Sequence, residues 1–138
     1  MNSIVLDASV ALAWCFPDES SSLAESLLAQ MDGLRLLVPS VWALEIANAM
    51  AMGERNQRLP SDAAAAFLEQ LHRLPIEEEP MVPVQLIRAV LPLAHVHALT
   101  AYDAAYLELS LRRKLPLATL DRRLSTAAAA AGVALFGG

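Results

Sequence analysis

The chain of 138 residues predicts an α/β protein, a three-layer α/β/α sandwich over a mainly parallel central sheet. Two observations carry that expectation: short β-rich apolar runs alternate with helical segments, and the connections between them are short. A third is that acidic residues stand just beyond apolar runs, at the carboxyl ends of strands, where open α/β sheets bind ligands.

Ile4-Val5-Leu6 is a short apolar run ending in Asp7 and predicts a buried first strand. Ser9 to Trp14 reads as a short helix that stops before Pro17. Ser20-Ser21-Ser22 can cap a helix to about Met31, after which Asp32-Gly33 turns the chain. Leu36-Leu37-Val38 predicts the second strand, closed by Pro39. Ser40 then caps a long helix to about Met52, ended by Gly53 and the polar run Glu54-Arg55-Asn56. Ser61 or Asp62 opens the next helix, which reaches His72.

Ile76 to Glu79 is a weaker third strand, with Glu77-Glu78-Glu79 as the polar side of a sheet edge. Pro83 suits the first turn of a helix running toward His95. Asp103 lies at the start of a helix ending near Lys114, and Leu117-Ala118-Thr119 is the fourth strand. Asp121 starts the last helix, Gly132 ends it, and Val133-Ala134-Leu135-Phe136 is expected as a final strand.

Hydrophobic residues make up 56% of the chain, a surplus that fits a homo-oligomer or a standing partner as well as a mere excess of alanine. The formal net charge of −5 is unpromising for nucleic-acid binding, although two divalent cations would add four charges and leave −1. Nine of the ten basic residues are arginine, the better side chain for bidentate phosphate contact. A single cysteine, Cys15, excludes an intramolecular disulfide and reads as a small core residue. The start of the chain lacks a basic leader and no uncharged stretch is long enough to cross a bilayer, so a soluble cytoplasmic protein is expected.

Four acids carry the chemistry: Asp7, Glu45, Asp103 and Asp121. Singly, Asp7 could cap the following helix, Asp121 reads best as an N-cap, and Asp103 fits a capping box with Thr100 as well as a site. Glu45 is harder to explain locally. From Val41 to Met52 the only polar residues are Glu45 and Asn48, one turn apart on one helical face. Buried carboxylates need a partner, because dehydration costs several kcal/mol or more per charge, roughly. Four such acids at matching ends of elements are better explained together, as hard oxygen ligands for Mg²⁺ or Mn²⁺.

Competing motifs are weaker. His95-x-His97 has a zinc-like spacing, but it stands in an expected loop with no cysteine near. There is no glycine-rich phosphate loop and no legible Ser-His-Asp or Cys-His arrangement. Trp14, Trp42, Tyr102 and Tyr106 lie near the acids in sequence and read as packing residues.

With those positions laid out, the chain resembles the PIN-domain ribonucleases, specifically VapC-type toxins of toxin–antitoxin pairs. Val5-Leu6-Asp7-Ala8-Ser9 is similar to the family's first motif and Pro39-Ser40-Val41-Trp42-Ala43-Leu44-Glu45-Ile46-Ala47-Asn48 to the second. Thr100-Ala101-Tyr102-Asp103-Ala104-Ala105-Tyr106 resembles the third and Leu117-Ala118-Thr119-Leu120-Asp121 the fourth. The resemblance covers essentially the whole length, which implies a single PIN-like nuclease domain over residues 1–138.

The resemblance places metal ligands on Asp7, Glu45 and Asp103, with Asp121 as a frequent fourth, and matches Ser9 and Thr119 to hydroxyls that bond around the site. It implies a Mg²⁺- or Mn²⁺-dependent endoribonuclease that hydrolyses RNA phosphodiesters with a metal-activated water. A homodimer and a small VapB-like antitoxin are the implied partners. Ser9, Asn48 and Thr119 are then expected to orient the carboxylates, and Arg112, Arg113, Arg122 and Arg123 are candidates for contacting RNA phosphates. Two other readings remain. An aspartate-nucleophile phosphatase or phospho-acceptor domain also uses acids at strand ends, but the phosphatases want a second aspartate where Ser9 stands. A non-catalytic PIN-like binding module need not bind metal at all.

Overall fold

An uninterrupted apolar run cannot alternate between core and solvent, so it suits a strand covered on both faces. Strand β1 (Asn2–Leu6) ends in such a run, and Ile4, Val5 and Leu6 are all buried. The computed structural model describes residues 2–137. After β1 come α1 (Ala8–Cys15), a 3₁₀ turn at Pro17–Glu19, α2 (Ser22–Ala29), β2 (Leu34–Val38), α3 (Val41–Arg55) and α4 (Ser61–Arg73). The chain continues through β3 (Ile76–Glu78), α5 (Pro83–His97), α6 (Ala101–Arg113), β4 (Leu117–Ala118) and α7 (Arg122–Ala130).

The strands form one parallel sheet in the order β3-β2-β1-β4. Asn2 to Val5 pair with Leu34 to Leu37, Val5 and Leu6 pair with Leu117 and Ala118, and Leu36 to Val38 pair with Ile76 to Glu78. Helix α1 packs with α2, α3 and α4, while α6 packs with α5 and α7 and lies on β1 and β4. This is the three-layer α/β/α arrangement that the sequence predicts. The edge strand β3 exposes Glu77 and Glu78, and Glu77 pairs with Arg35 of β2, charges that discourage edge-to-edge pairing.

Three expectations need correction. The final strand is only a bridge, with Leu135 paired in parallel to Leu117, because the two-residue β4 offers no longer ladder to join. Gly53 does not end α3. It lies inside the helix, where a Cβ would stand 2.8 Å from the Phe16 ring and 3.3 Å from Leu59 Cβ, so glycine permits close approach to α1's end. The helix stops instead just before Gln57, which takes a left-handed conformation at φ 59°. His95 and His97 are not in a loop but in the last turn of α5.

Candidate active site

The strand order places a topological switch point between β1 and β4, since β2 and β3 lie on one side of β1 and β4 on the other. Loops leaving the carboxyl ends diverge at such a point and open a crevice. Asp7 leaves β1 there, and Thr119 and Asp121 leave β4. The Asp7 amide donates to the Ala118 carbonyl at 3.0 Å, which ties the two strand ends at this level. Helices α3 and α6 bring Glu45 and Asp103. All four acids line one cleft of about 280 Å³, together with Ser9, Leu12 and Asn48.

Asp7 occupies the N-cap position of α1 yet makes no capping bond, so a local capping role does not account for its carboxylate. The residue is 5% exposed, and its Oδ2 accepts from Ser9 Oγ at 2.6 Å and Thr119 Oγ1 at 2.7 Å. Each hydroxyl also accepts: Ser9 from the Leu120 amide at 2.9 Å, Thr119 from the Asp121 amide at 3.0 Å. Both hydroxyl protons are committed to Asp7, so the 3.5 Å separation of Ser9 and Thr119 is a packing contact. Burial makes Asp7 harder to ionise than an ordinary aspartate. The two hydroxyl bonds oppose that effect and the charge of Asp121 adds to it.

Asp121 does cap α7, its Oδ1 accepting from the Leu124 amide at 2.9 Å, and it still faces the cleft. Thr100 Oγ1 accepts from the Asp103 amide at 3.1 Å, one half of the expected capping box. The Asp103 carboxylate is half-buried, and burial, then Asp121 and Asp7, raise its proton affinity, while Thr100 and Arg123 lower it. Glu45 is raised by burial and by the charges of Asp7 and Asp103, against a hydrogen bond from the Tyr106 hydroxyl at 2.5 Å.

The remaining expected residues divide. Ser9 and Thr119 bond the site as described. Asn48 lines the cleft, but its amide approaches Met52 Sδ at 3.8 Å and bonds no carboxylate. Arg112 and Arg113 stand at the far end of α6 from Asp103 and are engaged by Glu108 and Glu79. Arg122 and Arg123 follow Asp121, are exposed, and form no ion pair among the described residues. They line a second depression with His97 and Thr126. Lys114, the only lysine, caps the C-terminus of α6 and does not line the acid cleft, which removes the cation a phosphatase would place on its phosphate.

Tyr106 is a site residue that the sequence reading assigns to packing, although it follows Asp103 by three positions and so shares its helix face.

The donor chemistry fits a hard divalent cation. Three carboxylates are held in a more proton-hungry state by burial and by the charge of neighbouring acids, and no side-chain cation bonds any of the four among the described residues. Nor do three His, Cys, Asp or Glu side chains close into a ready cage among those residues. An open set of oxygens suits Mg²⁺, which keeps several waters and takes one or two carboxylates plus substrate phosphates.

Beside the cleft lies an apolar groove of about 460 Å³ between α3, α5 and α6, lined by Val41, Leu44, Leu86, Ile87, Leu91 and Tyr102 among others. Leu44, Ile87, Leu91 and Tyr102 are more than half exposed there. No single helix among the described residues is long and apolar enough to cross a membrane.

Comparison with known proteins points the same way. The family model described as PIN domain matches residues 4–130. Ribonuclease VapC3 of Pyrobaculum aerophilum is 33% identical over 122 residues, spanning 88% of this chain and 92% of the relative. The crystal structure of PAE2754 from Pyrobaculum aerophilum superposes with a TM-score of 0.67 at 25% identity, over 91% of this chain and 79% of that one. FitAcB from Neisseria gonorrhoeae shares the fold at a TM-score of 0.63 and 18% identity, over 96% of each chain.

Proposed function

The chain belongs to the PIN-domain family, and from that premise we propose that it is a metal-dependent endoribonuclease, the toxin of a toxin–antitoxin pair. The observation that carries the reading is the convergence of four acids from four separate elements on one cleft at the switch point. RNA as substrate rests on the similarity to ribonuclease VapC3. The nuclease domain is taken to occupy all of residues 1–138.

Asp7 and Asp103 would hold a Mg²⁺ or Mn²⁺ ion, with Glu45 and Asp121 as further oxygen donors. Such an ion supplies Lewis acidity, making a water nucleophilic near neutral pH and offsetting charge on the phosphate. The protein's own contribution is orientation. Ser9 and Thr119 clamp Oδ2 of Asp7, so that carboxylate cannot rotate without breaking two bonds. Their backbone partners are the Leu120 and Asp121 amides, which fixes the β4–α7 connection, and with it Asp121, relative to Asp7. Arg122 and Arg123 are free to contact phosphates flanking the cut, which gives an acidic protein a local patch for a polyanion.

The test is Asp7→Asn and Asp103→Asn. Both variants are expected to lose Mg²⁺-dependent RNA cleavage and growth arrest on expression while staying folded by circular dichroism. Either variant cleaving like the parent removes the assignment.

The same reading takes the protein to be cytoplasmic and bound by an antitoxin, and the apolar groove supports a homodimer. Ile87 and Leu91 lie one turn apart on α5 and leave an uncharged surface facing Leu44 of α3. Ile87→Glu is expected to shift the mass measured by light scattering from dimer to monomer. An unchanged dimer would move the interface off this face.

A further inference from the structure

We propose that Tyr106 is a positioning residue of the metal cleft, its buried hydroxyl fixing Glu45 so that one carboxylate oxygen remains for the ion. This deepens the metal-dependent reading and rests on it. Tyr106 heads the largest fully buried side chains of the molecule, and it sits one helical turn after Asp103 on α6. Glu45 comes from α3, 61 residues away along the chain. A single helix therefore delivers one acid of the cleft and restrains another.

A phenol buried this far is costly unless its hydroxyl is bonded. The partner is Glu45 Oε1 at 2.5 Å, the length of a strong hydrogen bond to a carboxylate. The phenol donates this bond and the carboxylate oxygen accepts it. Glutamate on a half-open cleft wall otherwise samples many rotamers, and ordering such a chain costs side-chain entropy. The Tyr106 bond meets that cost before any ion arrives. With Oε1 engaged, Glu45 has Oε2 left to offer, which makes it a single-oxygen donor beside Asp7 and Asp103.

Calorimetric titration of Mn²⁺ into the full chain tests this, using Tyr106→Phe, Glu45→Gln and the double variant. Phenylalanine keeps the buried ring and deletes only the hydroxyl. Tyr106→Phe is expected to weaken Mn²⁺ binding about 10-fold, within the range for residues that orient ligands. The same change in the Glu45→Gln background should add nothing further, because its route to the ion is already gone. In RNA cleavage kcat should fall at unchanged KM, with the melting temperature held.

Unaltered Mn²⁺ binding by Tyr106→Phe overturns the inference. So does an equal weakening in both backgrounds, which would make Tyr106 a packing residue. A parent chain that takes up no Mn²⁺ sinks the metal reading itself, whereas the two preceding results leave that reading standing.

Discussion

Two groups of carboxylates in this molecule behave oppositely. At one, Glu79 is held by Arg113 and approached by Arg112 at 3.7 Å, while Arg112 also binds the buried Glu108 at 2.9 Å. Every carboxylate there has a guanidinium. At the other, Asp7, Glu45 and Asp103 are each made harder to ionise by burial and by another acid. The first cluster is finished by the chain itself. The second has no cation bonded to it among the described residues, and an uncompensated cost of that kind marks a candidate ligand site.

The contrast can be broken first through stability. A carboxyl that folding makes harder to ionise favours the folded state most at low pH, where both states hold the proton. That support is lost as pH rises from the ordinary value of 3.8 through the elevated folded one. Asp7→Asn removes the loss. In metal-free buffer at pH 7 the variant should be more stable than the parent, with the difference closing on acidification. Thermal melts across pH decide it, and a variant that melts lower at neutral pH would mean Asp7 is matched after all.

A smaller effect belongs to the arginines beside the cleft. Arg122→Ala and Arg123→Ala should raise KM for RNA several-fold at steady kcat. Each should also make binding less sensitive to salt, by about 0.7 in log–log slope for every phosphate that the arginine neutralises. An unchanged slope would place the RNA backbone elsewhere. The smallest effect is expected at the matched cluster. Glu79→Ala should cost less than about 1 kcal/mol in urea denaturation and leave cleavage untouched, because exposed ion pairs contribute little. A larger loss there would make that cluster a centre of stability and blur the distinction.

How far the sequence discloses this arrangement depends on how local the cause is. Strand β1 and its acid are legible because a core strand has no packing use for the lone charge at its end. The capping of α6 by Thr100 and of α7 by Asp121 is legible because a side chain answers a backbone group only three residues away. Helix ends are less so. Helix α3 is followed by Gln57 in the left-handed region, and α5 and α6 close on Ala98 and Lys114 in that region, a conformation usually read from glycine. Gly53, which has the look of a stop, instead serves contact with Phe16, a residue 37 positions earlier.

The bond from Tyr106 to Glu45 is the extreme case. Its spacing to Asp103 is visible along the chain, but its partner is set by how two distant helices cross. The brevity of β4 is likewise a matter of where neighbouring strands end, and Val133 to Phe136 carry enough apolar character to have paired further.

Leu44 and Glu45 are neighbours in sequence, yet one lines the apolar groove and the other the acid cleft. Helix α3 is therefore a party wall. If the groove is the dimer face and the cleft the active site, as proposed, a mutational scan along it is expected to mix two phenotypes, association and turnover, in adjacent rows of data. Neither column can be interpreted at Val41 through Asn48 until the other has been measured on the same variant.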